Sequence, residues 1–166
     1  GSEMCIRDRR PAVTVLTATV PNPTGYGRIV RNASGEVLSI VEEADANEDE
    51  KAITEVNSGV YAFDAAQLHR SLELLDTNNE QGELYLTDVV SIARQADRPV
   101  RAHHLDDAFT VAGVNNRVQL ADVSAEMNRR ILVHWMLEGV TIIDPATTWI
   151  DVDVELAHDV LSLIHI

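Results

Sequence analysis

From Ala12 to Val20 apolar side chains alternate with threonine, and β-branched types dominate, so the pattern predicts a strand. Pro21 to Gly27 stops it, with two prolines that lack a backbone donor and two glycines able to take positive φ. Arg28 to Arg31 and Val37 to Glu42 then predict a hairpin around Asn32, Ala33, Ser34 and Gly35. Acidic residues fill Glu42 to Glu50, as in a solvated loop or a helix start. Glu55 to Phe63 predicts another strand, interrupted at Asn57, Ser58 and Gly59.

Helical spacing takes over after Asp64, a plausible N-cap. Leu68, Leu72 and Leu75 recur on one face before Asn78 and Asn79 end the pattern. A second helix is expected from Thr87 and Asp88, burying Val89, Val90, Ile92 and Ala93; Pro99 closes it and Val100 to Leu105 is a short strand. The clearest helical signal runs from Asn116 to Glu138. There Leu120, Val123, Met127, Ile131 and Trp135 form a stripe, with Trp135 as the expected anchor and Gly139 at the C-terminal cap. Past Asp144 and Pro145 the step becomes six: Ile150 to Leu156 and Val154 to Val160, the spacing of a parallel β-helix coil. Strands alternating with helices predict an α/β domain for most of the chain.

Composition narrows the function more than the fold. Of 166 residues 45% are hydrophobic and 24% charged, an ordinary balance for a globular domain. No apolar run reaches the roughly 20 residues that cross a bilayer, and the expectation is a cytoplasmic protein without a membrane partner. The formal charge of -14 disfavours nucleic acid and anionic membranes, so an anionic ligand has to be held by local groups. Cys5 is the only cysteine, which rules out an intramolecular disulfide.

Four short segments carry candidate chemistry, and each has a plainer alternative. Gly25-Tyr26-Gly27-Arg28 lets a backbone approach a ligand closely, or is simply a tight turn. Glu42, directly after an apolar strand, is a strong acceptor for ligand hydroxyls or an ordinary surface carboxylate. Asn57, in Glu55-Val56-Asn57-Ser58-Gly59, offers both donor and acceptor, or serves a turn. Asn115, in Gly113-Val114-Asn115-Asn116-Arg117, either caps the long helix, the reading that helix physics favours, or gives a carbonyl oxygen to magnesium. His69, His103, His104 and His134 lack partners at metal-site spacing and read as surface or helix-packing residues; His158 falls in the six-residue pattern.

Taken in order, Gly25 to Ile29, Ile40 to Glu43, Glu55 to Tyr61, Glu83 to Asp88 and Gly113 to Arg117 resemble the bifunctional N-acetylglucosamine-1-phosphate uridyltransferase and glucosamine-1-phosphate acetyltransferase family, in its actinobacterial form. Asp144 to Val154 is similar to that family's passage into its acetyltransferase domain. The resemblance implies a partial nucleotidyltransferase domain, Rossmann-like and glycosyltransferase-A-like, over residues 9–117. A linker helix over 118–140 and the first coil of a left-handed parallel β-helix over 141–160 follow. It implies that Gly27, Glu42, Asn57 and Asn115 contact UDP-N-acetylglucosamine, that Glu83, Tyr85 and Thr87 line the sugar pocket, and that Asn115 also touches magnesium. The substrates implied are UTP and N-acetylglucosamine-1-phosphate, and the assembly implied is a homotrimer through the β-helix.

Residues 1–8, which include Met4-Cys5-Ile6-Arg7-Asp8, and residues 161–166 resemble translated adapter sequence and are expected to be foreign to the natural protein. The family's N-terminal glycine-rich loop, its basic phosphate-binding residues, its second magnesium ligand and its acetyl-transfer histidine have no counterpart in the sequence. A fragment inactive by itself, with no catalytic residue of its own, is therefore expected. Two rival readings stand beside it: another sugar-1-phosphate nucleotidyltransferase, and a non-catalytic sugar-nucleotide-binding or assembly module.

Overall fold

The computed structural model describes residues 11–162. The strings at Met4 to Asp8 and at 163–166 lie outside the described residues. The chain divides into two compact units, one ending at Val111 and the other starting at Ala112.

The first unit is built on a sheet of five strands in the order β3-β2-β4-β1-β5. Its strands are β1 (Val13–Thr19), β2 (Arg28–Arg31), β3 (Val37–Val41), β4 (Glu55–Phe63) and β5 (Val100–Leu105). Only β1 and β5 run parallel; β1–β4, β2–β3 and β2–β4 are antiparallel. The alternation foreseen for the first strand is what allows β1 its interior place between β4 and β5, because Val13, Val15 and Thr17 are fully buried on one face. Ile29, Val37, Ile40 and Val100 extend that layer, and Val89, Val90 and Ala93 of helix α3 (Asp88–Gln95) cover it. Removing each such aliphatic side chain from water contributes about 1.5–3 kcal/mol.

Two local expectations need correction. Asn57, Ser58 and Gly59 do not interrupt the strand: β4 is continuous, and its register with β1 slips between Val15↔Tyr61 and Thr17↔Asn57. The slack is taken up at Ser58, whose hydroxyl donates to the Leu16 carbonyl at 2.8 Å, and at Gly59, which takes φ +79°. Helix α2 (Ala65–Leu72) is capped by Asp64 as expected, since the Asp64 carboxylate accepts from the Gln67 amide at 2.9 Å. Its buried residues, however, are Gln67 and Ser71, which bond each other at 3.2 Å, while Leu72 is exposed. Leu68 and Leu75 pack against the core from its edge. A one-turn helix, α1 (Glu48–Lys51), closes the acidic segment through a reciprocal Asn47–Glu50 capping box.

In the second unit, helix α4 (Arg117–Leu137) is capped by Asn116, whose side chain accepts from the amides of Val118 and Gln119. Asn115 is therefore not the cap. At the other end Gly139 takes φ +92°, the Gly139 amide donates to Met136 and the Val140 amide to Trp135. The expected stripe is only half used. Leu120 and Met127 are exposed, whereas Asn128 and Leu132 are buried. Ile131 and Trp135 do pack there, around Leu132, Val140, Ile142 and Ile150. A parallel pair, β6 (Thr141–Ile142) and β7 (Leu161–Ser162), returns the chain alongside itself.

Candidate functional site

Three of the candidate residues meet at the junction of β2, β3 and β4. The Asn57 amide donates to the Gly27 carbonyl at 2.8 Å, which ties the end of the glycine loop to β4. A Cβ built on Gly27 would lie 3.0 Å from Ile40 Cγ2 and 3.3 Å from Glu42 Oε2. Gly27 therefore has the Glu42 carboxylate against its α-carbon, and the absence of a side chain is what admits it. On its far side Glu42 Oε1 accepts from Thr87 Oγ1 at 2.9 Å.

Thr87 stands at the start of α3, where a threonine hydroxyl ordinarily caps the first amides. Here no side-chain cap bond is made, and the hydroxyl, in a residue only 5% exposed, is committed to Glu42. Tyr85 lies two residues earlier. Its hydroxyl is shielded and has no hydrogen-bond partner among the described residues. Burial pushes its phenol up to about 12, and the carboxylates of Asp45, Glu42 and Glu83 add to the rise. Glu83 is exposed and is held through its backbone, which exchanges bonds of 3.1 and 2.6 Å with the Asn79 side chain.

Tyr61 belongs to this cluster and was not singled out from the sequence. The register slip in β4 adds two residues, so Asn57 and Tyr61 keep the same face opposite Thr17 and Val15. Burial pushes the Tyr61 phenol up to about 12; its hydrogen bond with Asn57 works the other way, and the Glu42 charge adds to the rise. Tyr61 also stacks on Phe63, with ring centroids 5.2 Å apart. The signal lay in the string from Glu55 to Tyr61, but it needed the size of the slip to be read.

Asn115 is in the second unit, exposed, with its amide donating to Gln119 Oε1 at 2.7 Å. The cap formed by Asn116 leaves the Asn115 carbonyl oxygen uncommitted to the helix. Among the described residues no group of three or more His, Cys, Asp or Glu side chains is placed to hold a metal ion. His103 and His104 are exposed on β5, with His104 Nε2 2.9 Å from Thr19 Oγ1.

One carboxylate, one amide side chain, two phenols and a bare glycine backbone make a set of mixed donors and acceptors. Such a set suits a ligand rich in hydroxyl and amide groups. No nucleophile stands beside a base in it.

No helix among the described residues is long and apolar enough to cross a membrane. A family model described as nucleotidyl transferase matches residues 6–153. A protein named "Bifunctional protein GlmU" from Rhodococcus jostii is 63% identical over 150 residues, covering 90% of this chain and 30% of the relative. Proteins of the same name from Corynebacterium efficiens and Mycobacterium avium are 61% identical over 162 residues and 58% over 156. These alignments cover 97% and 94% of this chain but 33% and 31% of those relatives. The chain thus spans about a third of the length of the curated relatives it matches. The family match runs from the sheet through α4 and past β6, and the chain belongs to the nucleotidyl transferase family.

Proposed function

We propose that this chain is the sugar-binding part of a uridyltransferase that joins UTP and N-acetylglucosamine-1-phosphate into UDP-N-acetylglucosamine and pyrophosphate, in the cytoplasm. The convergence of Gly27, Glu42 and Asn57 carries the reading, since three motifs distant in sequence meet at one point. Glu42 accepts from sugar hydroxyls, Asn57 meets the N-acetyl group, and Tyr85 brings a hydroxyl that awaits a partner. Thr87 holds Glu42 in place, and Glu83 borders the pocket. In such a transfer the sugar phosphate attacks the α-phosphorus of UTP and pyrophosphate leaves, so the protein's part is positioning and charge stabilisation.

Magnesium fits this chain only in part. Asn115 offers one neutral oxygen of the hard type magnesium takes, and the described residues do not complete a site around it. The Asn115 oxygen is thus one ligand, to be joined by substrate phosphates and by groups from elsewhere in the whole protein.

The name "bifunctional" carried by the relatives supports a further domain. On this reading α4 is the linker helix, and the chain after it begins a left-handed parallel β-helix through which whole proteins form trimers. Ile150, Val154, Leu156 and Val160 support it, because they pack around one cluster at the spacing read from the sequence.

Replacing the matching third of the Rhodococcus jostii relative with residues 9–160 tests the reading. The chimera is expected to release pyrophosphate from UTP and N-acetylglucosamine-1-phosphate, with Asn57→Ala raising KM for the sugar phosphate more than it lowers kcat. The chain alone is expected to turn over no UTP. A folded chimera with no activity, or one that prefers glucose-1-phosphate, overturns the proposal.

A further inference from the structure

Arg28 is the bulkiest of the fully buried side chains, 1% exposed. Burying a guanidinium is expensive unless its donors are matched, and a well-packed apolar residue of similar volume often serves stability better. The groups that Arg28 does meet therefore matter. Nη2 pairs with Glu43 Oε2 at 2.6 Å, and Nη1 donates to the Tyr26 carbonyl. Glu43 Oε2 also accepts from the Gly25 amide at 3.2 Å. The buried Nε has no hydrogen-bond partner among the described residues.

All of these bonds fall on one short segment. Gly25 takes φ +85°, and the Tyr26 amide closes a turn onto the Pro23 carbonyl at 3.1 Å. Beyond it comes Gly27, which touches Glu42 and bonds Asn57. Adjacent carboxylates thus divide the work: Glu42 meets Gly27 and Thr87, while Glu43 holds Gly25 and Arg28. An apolar residue in place of Arg28 would fill the space yet could not grip a carbonyl and a carboxylate together.

We propose that the Arg28–Glu43 pair is a positioning latch, which fixes the Gly25–Gly27 segment so that Gly27 and Asn57 present one geometry to the sugar and its N-acetyl group. The inference rests on the sugar-nucleotide reading given above. Neither residue touches the ligand on this account; both act through the loop. The ion pair is nonetheless strong enough to leave a mark on Glu43, whose carboxyl is held below its ordinary value by the bond from Arg28.

The test uses the chimera carrying residues 9–160 and its variants Arg28→Met, Arg28→Lys and Glu43→Gln. Amide hydrogen exchange is followed across residues 22–27, β1 and β4, and affinities for UDP-N-acetylglucosamine and UDP-glucose are measured by ligand-detected NMR. In Arg28→Met and Glu43→Gln the loop amides are expected to exchange at least about tenfold faster while β1 and β4 stay protected. The preference for the acetylated sugar nucleotide should fall by about fivefold or more, with Arg28→Lys intermediate. A merely structural role would lower both affinities alike and leave their ratio fixed. Glu43→Gln, which keeps the shape of the side chain, decides the matter if Arg28→Met does not fold. Unchanged loop exchange in a folded variant overturns the latch, and an unchanged ratio overturns its effect on the sugar. Failure of the parent chimera to bind either sugar nucleotide refutes the sugar-nucleotide reading and leaves the exchange result to judge the latch on the loop.

Discussion

Thr87 Oγ1 donates to Glu42 Oε1 at 2.9 Å across 45 positions of sequence, although Thr87 stands where its hydroxyl would ordinarily cap α3. The first amides of α3 are met by the carbonyls of Tyr85, Leu86 and Thr87, so no cap bond from the hydroxyl is needed. What is obtained instead is a carboxylate held in one orientation beside Gly27.

Thr87→Val keeps the volume and removes the donor. Glu42 then loses a bond to a group that is largely buried, and unfolding in urea is expected to show a loss of about 1–3 kcal/mol. Thr87→Ser, which keeps the hydroxyl, should recover most of it. A Val variant as stable as the parent would mean that Glu42 finds water just as readily and that Thr87 does not orient it.

Much of the chain was legible where local chemistry and global fold agree. Asn32 to Gly35 set the β2–β3 hairpin, threonine alternation set β1, and Asn116 with Gly139 bracketed α4. The failures share a cause. Periodicity says which side chains could be buried together, not which stretch of chain arrives to cover them. Leu120 and Met127 satisfy the helical stripe and stay exposed, while Asn128 is buried because a loop packs on it. At the site, Gly27, Glu42 and Asn57 were singled out by motif, yet Tyr61 was hidden behind a strand irregularity whose size only the register reveals.

In the second unit Asn128 is expected to outweigh any apolar residue of the stripe. Its Nδ2 donates to the Thr148 carbonyl at 2.8 Å, and its Oδ1 accepts from the Ile150 amide at 3.2 Å. Asn128→Leu strands two backbone groups, one donor and one acceptor, at a cost of about 1–3 kcal/mol each when they stay buried. Met127→Leu, on an exposed neighbour, should stay within about 0.5 kcal/mol. Exchange at the Ile150 amide should rise in Asn128→Leu while the amides of β1 keep their protection. Retained protection at Ile150 would show that the loop is held by Ile142 and Leu132 instead.

The first unit should lose stability on acidification, and the direction follows from its carboxylates. Glu43 is held below its ordinary value of 4.5 by the bond from Arg28. For Glu55 burial pushes upward, but bonds from Arg31 and Thr17 outweigh it and the result is also a lowered value. A carboxylate whose folded value is depressed stabilises the native state above its unfolded value, and that contribution disappears as pH falls through the folded value. The loss should therefore begin near pH 4.5 and deepen below it. Asp88 opposes this trend: burial first, then Asp76 and Asp45, raise it above 3.8, so its protonation relieves the native state. Urea midpoints for the first unit, followed at pH 7, 5, 4 and 3, should fall across the last three. Glu43→Gln should lower the pH 7 value and flatten the fall, because the titrating partner of Arg28 is gone. Asp88→Asn should raise the pH 7 value and steepen the fall, because the compensating protonation is gone. A midpoint that holds from pH 5 to 3 in the parent, or identical slopes in the two variants, would remove these carboxylates from the balance.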